Sequence, residues 1–530
     1  GYLYNNYSQQ KQEMYSVNLD FTRQQGKSHL IKFGGEFRYN TVRWYSIGAY
    51  PGVVGLAAKL SAYGDIVDQY GENYAWYLLY RNAANADYFG YDFYGNEANS
   101  GDWFLKDVND PASIEPGRPD APKHPIIGSA YVQDKIEFHD LVLNLGLRFD
   151  YLNPNDWAFQ DPLHPFSYGG DPKKFDAPDV KDSKVQTFFS PRLGFAFPVS
   201  ENTVFHAQYG KFYQMPRLVD LYASKNYVDR LLIEHPYYDN IGFPNLNPEK
   251  TTAYEIGFRQ KMGTFVALGV TAFYKETADL VREQNFHTDI QDIGFMQNND
   301  FGTVKGVELS FTMRRFNNIS ASVNYTLSFA VGTGSNSNTL RNITWLQAEY
   351  PKATNPLDFD QRHTGNVNLD WRLGENKGPS LGNMKPLENF GVNVLLSFNS
   401  GRPFTSVRVV SEPFWGGGTG ERPTSAINSN YSPYDFMVDM KVDKYFNLPF
   451  ANSRLNVYVW VLNVLNTKNI YSVYPFTGDV DNNGWLDSPD GELYQQTATP
   501  EEVLLYRKRE TNPFNYGPPR QIRLGMRLEI

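Results

Sequence analysis

Apolar and polar positions alternate along much of this chain. In RQIRLGMRLEI, Ile522, Leu524, Met526, Leu528 and Ile530 share one face, while Arg523, Gly525, Arg527 and Glu529 share the other. In GVNVLLSFNS, Val392, Val394, Leu396 and Phe398 oppose Asn393, Leu395, Ser397 and Asn399. In NISASVNYTLSF, the residues from Ile319 to Phe329 set Ala321, Val323, Tyr325 and Leu327 against Ser322, Asn324, Thr326 and Ser328. A repeat of two belongs to extended chain, whose successive side chains point to opposite sides. About fifteen such segments are predicted, starting near residues 11, 28, 126, 140, 187, 201, 250, 263, 301, 318, 360, 389, 433, 452 and 519.

The connections alternate in length. Short ones are expected at 25–27, 139–140, 199–202, 262–263, 316–318 and 448–452, with a longer one at 374–388. Long ones are expected at 47–125, 154–186, 214–249, 286–299, 333–358, 402–432 and 469–517. Tight turns at one end and long loops at the other mark an all-β, transmembrane antiparallel β-barrel. Soluble sandwiches and propellers alternate too, but obey no such rule of loop length. The polar face is also rich in Asn, Ser, Gly, Arg and Asp, which suits a wall around a wet interior. We therefore expect long extracellular loops and short periplasmic turns, in the outer membrane of a diderm bacterium.

Composition agrees. Aromatic residues make up 16% of 530 residues, with 37 Tyr and 37 Phe, and there is no cysteine. The lack of cysteine removes disulfides and thiolate metal sites. A net charge of −9 argues against nucleic acid as a partner. The longest apolar stretch, VYVWVLNVL from Val457, covers about half of a helical span. An odd count of strands, with no signal peptide before GYLYNNYSQQKQ, predicts that further strands lie upstream.

Two loops carry chemistry. DVDNNGWLDSPD places oxygens with the spacing of an EF-hand loop: Asp479, Asp481, Asn483, the Trp485 carbonyl, Asp487 and Asp490. Gly484 stands where that loop turns sharply. Ca²⁺ needs roughly six to eight oxygen ligands, and these positions supply them. Asp in place of Glu at the last position predicts modest affinity and a structural role. The alternative is a loop of Asx turns with hydrated carboxylates. Downstream, Thr499, Pro500 and Glu502 form a capping-box signature for a short helix through about Arg509. The 469–517 loop is thus expected to be a folded cap. In the first long loop, Tyr74, Trp76 and Tyr77 belong to a dense aromatic set running from Tyr63 to Tyr94. Such rings could grip a sugar, a peptide or another small molecule. They would equally serve as the loop's own core or as an interfacial belt. No G-x-S-x-G, H-E-x-x-H or P-loop string occurs, so no enzyme is expected. The cluster DFDQRH at 358–363 reads as a feature of the wall.

Several strings resemble the C-terminal portion of TonB-dependent outer-membrane receptors, with the Oar-like subgroup nearest. They include SPRLGFAF at 190–197, NLNPEKTTAYEIGFRQ at 245–260, GTVKGVELSF at 302–311, DFDQRHTGNVNLDW at 358–371 and NPFNYGPPRQIRLGMRLEI at 512–530. SAYVQDKIEF from Ser129 and HLIKFGGEFRY from His29 extend the likeness towards the N-terminus. The resemblance implies a barrel of about twenty-two strands around a plug, with the plug and about seven strands upstream of Gly1. It implies import of an extracellular solute driven by the TonB–ExbB–ExbD complex through that upstream part. Outer-membrane lipid and a surface lipoprotein are further expected partners. The alternative is a structural or adhesion barrel that holds a partner through its loops. Ending on Ile530 departs from the aromatic terminus common among barrel proteins.

Overall fold

The computed structural model describes residues 7–47, 87–92, 95–101, 120–168, 175, 177–228, 241–287, 292–337, 353–382, 385–408, 422–449 and 453–529. Fifteen long strands form one antiparallel meander. They are β1 (Tyr7–Gln25), β2 (His29–Ile47), β3 (Ile126–Phe138), β4 (Leu141–Asn153) and β5 (Gln186–Ser200). Next come β6 (Thr203–Gln214), β7 (Glu249–Met262), β8 (Val266–His287), β9 (Asp292–Phe316) and β10 (Ile319–Gly332). The last five are β11 (His363–Arg372), β12 (Phe390–Asn399), β13 (Asp435–Asn447), β14 (Arg454–Leu462) and β15 (Gln521–Glu529). Each pairs with the next in sequence, from β1 with β2 to β14 with β15. Among the described residues no pairing joins β1 to β15.

The tight turns are chemically specified. Asn317 and Asn318 both sit at positive φ, 46° and 70°. That is the two-residue turn whose twist matches the flanking strands. Asn tolerates this region better than most residues with a Cβ. Gly26 and Gly263, at φ 63° and 61°, do the same for the β1–β2 and β7–β8 turns.

One predicted connection is corrected. The long loop expected at 286–299 is mostly strand, because β8 runs to His287 and β9 begins at Asp292. The pairing shifts register between Thr277 and Val281, where Asp279 takes a φ of 62°. Beyond this irregularity the hairpin continues, and Ile293, Phe295 and Met296 bury instead of alternating. A bulge that redirects the strands, followed by loss of alternation, hid the extension from the sequence pattern.

The sheet is not folded around a dry interior. Leu524 and Met526 are 80% and 76% exposed, and Val17, Leu19, Phe21, Phe33 and Phe37 are exposed on their strands. The buried apolar cluster lies instead at the long-connection end. It joins Phe89, Trp157, Phe159, Phe166, Leu221, Tyr222, Phe243 and Leu246 to Val281, Ile293, Phe295 and Met296 of the β8–β9 hairpin. So many exposed large side chains on one sheet face would be costly in water, at about 25 cal/mol per Å². Lipid removes that cost. Among the described residues no helix is long and apolar enough to cross a membrane.

Candidate functional site

Register carries the apolar face continuously from strand to strand. Met313 faces Ala321, which faces Leu369, then Val394, Met440, Val461 and Ile522. A second row runs through Tyr209, Tyr254 and Tyr274, whose ring centroids lie 5.3 and 6.3 Å apart in succession. Aromatic rows of this kind mark the edge of an apolar band.

The opposite face is bound together by polar side chains. The Asn324 amide donates to Asn366 at 3.1 Å, and Asn393 to Asn368 at 2.7 Å. Arg372 holds Asp443 through two hydrogen bonds of 3.0 and 2.7 Å, and Asn456 donates to the same carboxylate at 2.9 Å. Arg372 and Arg454 also stack on Tyr445, 5.7 and 5.6 Å from its ring centre. Such pairs need a hydrated or protein-filled neighbourhood, and a hydrocarbon one would penalise them. The DFDQRH string lies apart from these polar pairs, at the start of β11, beside Tyr325 and Phe329 of the apolar face. There Arg362 is sandwiched between Phe329 and Tyr431, at 5.2 and 5.1 Å, and His363 hydrogen-bonds Tyr325 at 2.8 Å.

A hollow of about 520 Å³ opens on the polar face across β3 to β7, lined among others by Arg192, Gly194, His206, Gln208, Gly210 and Glu255. Sequence reasoning did not single it out. Its only trace there is glycine recurring on the polar side of neighbouring strands, at Gly146, Gly194, Gly210 and Gly257.

Above the wall, the 469–517 connection folds into a small module. Helix α1 (Pro489–Thr497) starts at Ser488, whose hydroxyl accepts from the Gly491 amide. Helix α2 (Pro500–Glu510) carries the expected capping box between Thr499 and Glu502. The module has its own core of Trp485, Leu486 and Tyr506. α1 is an addition to the sequence expectation of a single, more remote helix. A Ser-Pro start places Asp490 in its first turn.

The six proposed calcium positions are distributed as follows. The Asp479 carboxylate accepts from the Asp481 amide at 2.7 Å. Asp481 accepts from the Tyr516 hydroxyl through one oxygen, and its other oxygen, Oδ1, is buried without a hydrogen bond. Asn483 is buried, donating to Tyr506 at 2.9 Å and accepting from the Trp485 amide at 2.9 Å. The Trp485 carbonyl accepts from Ser488. Asp487 is exposed and accepts from Asn482 at 3.2 Å, and Asp490 is exposed on α1. Gly484 takes φ 77°, as a sharp turn requires. Among the described residues no group of three or more His, Asp or Glu side chains is gathered to hold a metal. The hydrogen bond from Tyr516 to Asp481 favours the neutral phenol and pushes the Tyr516 hydroxyl up to about 12. Burial raises the Glu510 carboxyl, which lies under the Asn483 amide.

Tyr74, Trp76 and Tyr77 lie outside the described residues. Two of their aromatic neighbours are placed: Tyr88 and Tyr91 are buried against Tyr45 of β2.

A meander with one lipid-suited face, one polar face and folded loops at one end defines an outer-membrane β-barrel. The description "TonB dependent receptor-like, beta-barrel" matches residues 1–464, and the chain belongs to that family. Its members are transporters of the outer membrane of Gram-negative bacteria, not enzymes. Among solved structures, the outer membrane transporter YddB from Escherichia coli matches with a TM-score of 0.50 and 12% identity, over 90% of this chain and 52% of that one. The FrpB iron transporter from Neisseria meningitidis matches at 0.47 and 12%, over 87% and 51%. FpvA of P. aeruginosa, bound to heterologous pyoverdines, matches at 0.49 and 11%, over 98% and 48%. The chain therefore spans about half the length of the solved chains it matches. No curated protein sequence matches it.

Proposed function

We propose that this chain is the barrel portion of a receptor that binds an extracellular solute and passes it to the periplasm, energised through TonB with ExbB and ExbD. The observation that carries this reading is the polar wall, cross-linked by Arg372, Asp443 and the Asn ladders and continuing beneath a folded cap. Such a wall can hold a plug domain and later line a path. On this reading the long connections face outside, the short turns face the periplasm, and further strands and the plug precede Gly1. The strings quoted above support the Oar-like subgroup. The expected result for the full-length protein is solute uptake that stops when the proton-motive force is collapsed or TonB is removed. Passive conductance of the purified protein in bilayers, indifferent to both treatments, would refute the reading.

A second reading, binding of a surface protein such as a lipoprotein through the loops, is favoured by one observation. Leu493, Leu504 and Leu505 are 60%, 55% and 61% exposed on α1 and α2, and Phe514, in the turn that follows α2, is 88% exposed.

We also infer that the 479–490 loop takes Ca²⁺ as a structural ion. The fit is partial: the unpartnered Asp481 Oδ1 and the turn at Gly484 favour it, while Asn483 and the Trp485 carbonyl are engaged within the loop. Binding would draw Asp479, Asp481, Asp487 and Asp490 together against their mutual repulsion. A chelator is expected to speed protease cleavage within 469–517 in the native protein, with no effect on the Asp479→Ala, Asp481→Ala double variant. Identical cleavage of the native protein with and without chelator would remove the site.

A further inference from the structure

The lipid-facing side of β1–β3 departs from its surroundings in two ways. The first is a hollow of about 530 Å³, walled by Leu19, Phe21, Phe33 and Phe37 and floored by Gly35 and Ala130. Register puts all six on the apolar face, with Leu19 opposite Gly35, Gly35 opposite Ala130 and Phe21 opposite Phe33. The Phe21 and Phe33 rings stack at 5.2 Å and form the end of the hollow nearest the β1–β2 turn. An apolar hollow on a membrane face takes whatever chain lies beside it. Alone, it selects nothing.

The second departure adjoins the first. His29 and Asp134 belong to the same apolar face, since His29 pairs with Ile136 and Asp134 with Ile31. Their side chains meet at 2.7 Å, His29 Nδ1 to Asp134 Oδ2. Arg23 shares a row with Asp134 through Ile31, about 10 Å away between Cα atoms at ordinary sheet spacings. Among the described residues the Arg23 guanidinium has no hydrogen-bond or ion-pair partner, and the His29 ring has Asp134 alone, which leaves Nε2 open. The same two rows continue on β4 and β5 as Leu145 and Leu193, and as Leu143 and Phe195. The polar group is thus local, not the ordinary edge of the apolar band. Ionisable groups on a lipid face are costly unless a polar partner answers them. Arg23 follows Phe21 by two residues, and Asp134 follows Val132, which pairs with Phe33. The charges therefore stand directly at the end of the hollow.

We propose that this is a binding site for one membrane glycerophospholipid, with its phosphate at Arg23 and His29 and one acyl chain laid in the hollow over Gly35 and Ala130. Arg offers paired donors that match phosphate oxygens. Asp134 accepts the Nδ1–H of His29 and fixes the ring, leaving the Nε2–H of the imidazolium for the phosphate. A headgroup alone would miss the hollow, and an uncharged lipid would miss the cations, so the two parts select a phospholipid together. The charges lie at the short-turn end, and in the orientation given above the lipid belongs to the periplasmic leaflet. The site is on the outside of the barrel, away from the wall that holds the plug, and it stands whatever solute the receptor imports.

Native mass spectrometry of the purified full-length receptor in mild detergent, titrated with dioleoylphosphatidylglycerol or with dioleoylglycerol, tests this. One copy of the phospholipid is expected to bind about tenfold or more tighter than the diacylglycerol, and excess inorganic phosphate should not displace it. The Arg23→Gln, His29→Gln double variant should bind both lipids alike, at the weaker level. Ala130→Phe fills the floor of the hollow and should weaken both, while Leu369→Phe, elsewhere on the lipid face, should change neither. Native heat-modifiable migration checks that each variant is folded, and the comparison of Ala130→Phe with Leu369→Phe decides the matter even if the double variant does not assemble. Equal binding of the two lipids by the native protein, or equal effects of Ala130→Phe and Leu369→Phe, would show unselective annular lipid and overturn the proposal. Displacement by inorganic phosphate would reduce the site to an anion contact and overturn it as well.

Discussion

Replacing Tyr506 with Ala is expected to open the 469–517 cap while leaving the barrel wall assembled. Tyr506 is fully buried, stacked on Trp485 at 5.1 Å, and its hydroxyl accepts the Asn483 amide at 2.9 Å. Removing a buried aromatic ring costs about 3–5 kcal/mol. The orphaned Asn483 amide adds part of a further penalty of about 1–3 kcal/mol. The cap's core consists of Trp485, Leu486 and Tyr506, with Tyr494 and Val503 half-buried around it, so it has little in reserve. Regions with few buried contacts open at free energies well below that of the whole molecule. Protease nicking within 469–517 should rise sharply in Tyr506→Ala and only modestly in Tyr506→Phe, which keeps the ring. Heat-modifiable gel migration should stay native in both. Unchanged nicking in Tyr506→Ala would mean that the module is held by something other than this core.

How far the sequence could be read depended on where side chains find their partners. The wall was legible because lipid on one side and polar contacts on the other impose a repeat of two on neighbouring residues, visible at Val392–Asn399 and Gln521–Glu529. About fifteen strands were expected, and fifteen long ones are seen among the described residues, most starting within a few residues of their predicted positions. The helix opened by Thr499 was legible too, since its capping partners lie three residues apart. The upper β8–β9 hairpin was not. Its inward packing of Phe295 against Phe159 and Phe243 joins residues far apart in sequence, and no local period records it. Helix α1 was missed because its Ser-Pro-Asp start overlapped a plausible calcium loop and its apolar content is low. The hollow at Arg192 and Glu255 was invisible for a related reason: its parts sit on five strands and meet only through register. SPRLGFAF was noticed for its likeness to a family, while the space its glycine leaves on the polar face needs three neighbouring strands to be seen.

The assignment of faces predicts a large asymmetry between adjacent residues of β12. Leu396 sits in a row running through Phe311, Val323, Val367 and Val438, all apolar and all in register. The next residue, Ser397, faces Asn366 on β11 from the polar side. An arginine on the lipid side near the middle of a spanning strand costs about 2–4 kcal/mol, because its charge must find water or headgroups across the apolar band. On the polar side the guanidinium remains hydrated or pairs with neighbours such as Asn366, and the cost should be within about 0.5 kcal/mol, as for ordinary surface changes. Leu396→Arg is therefore expected to lower the folded yield in vesicles and shift the denaturant midpoint strongly, with Ser397→Arg close to native. Reversible unfolding in lipid vesicles measures both. Equal losses from the two substitutions would show that one side chain does not meet lipid while its neighbour meets water. A barrel wall cannot behave that way, because a strand turns each residue to the side its predecessor left.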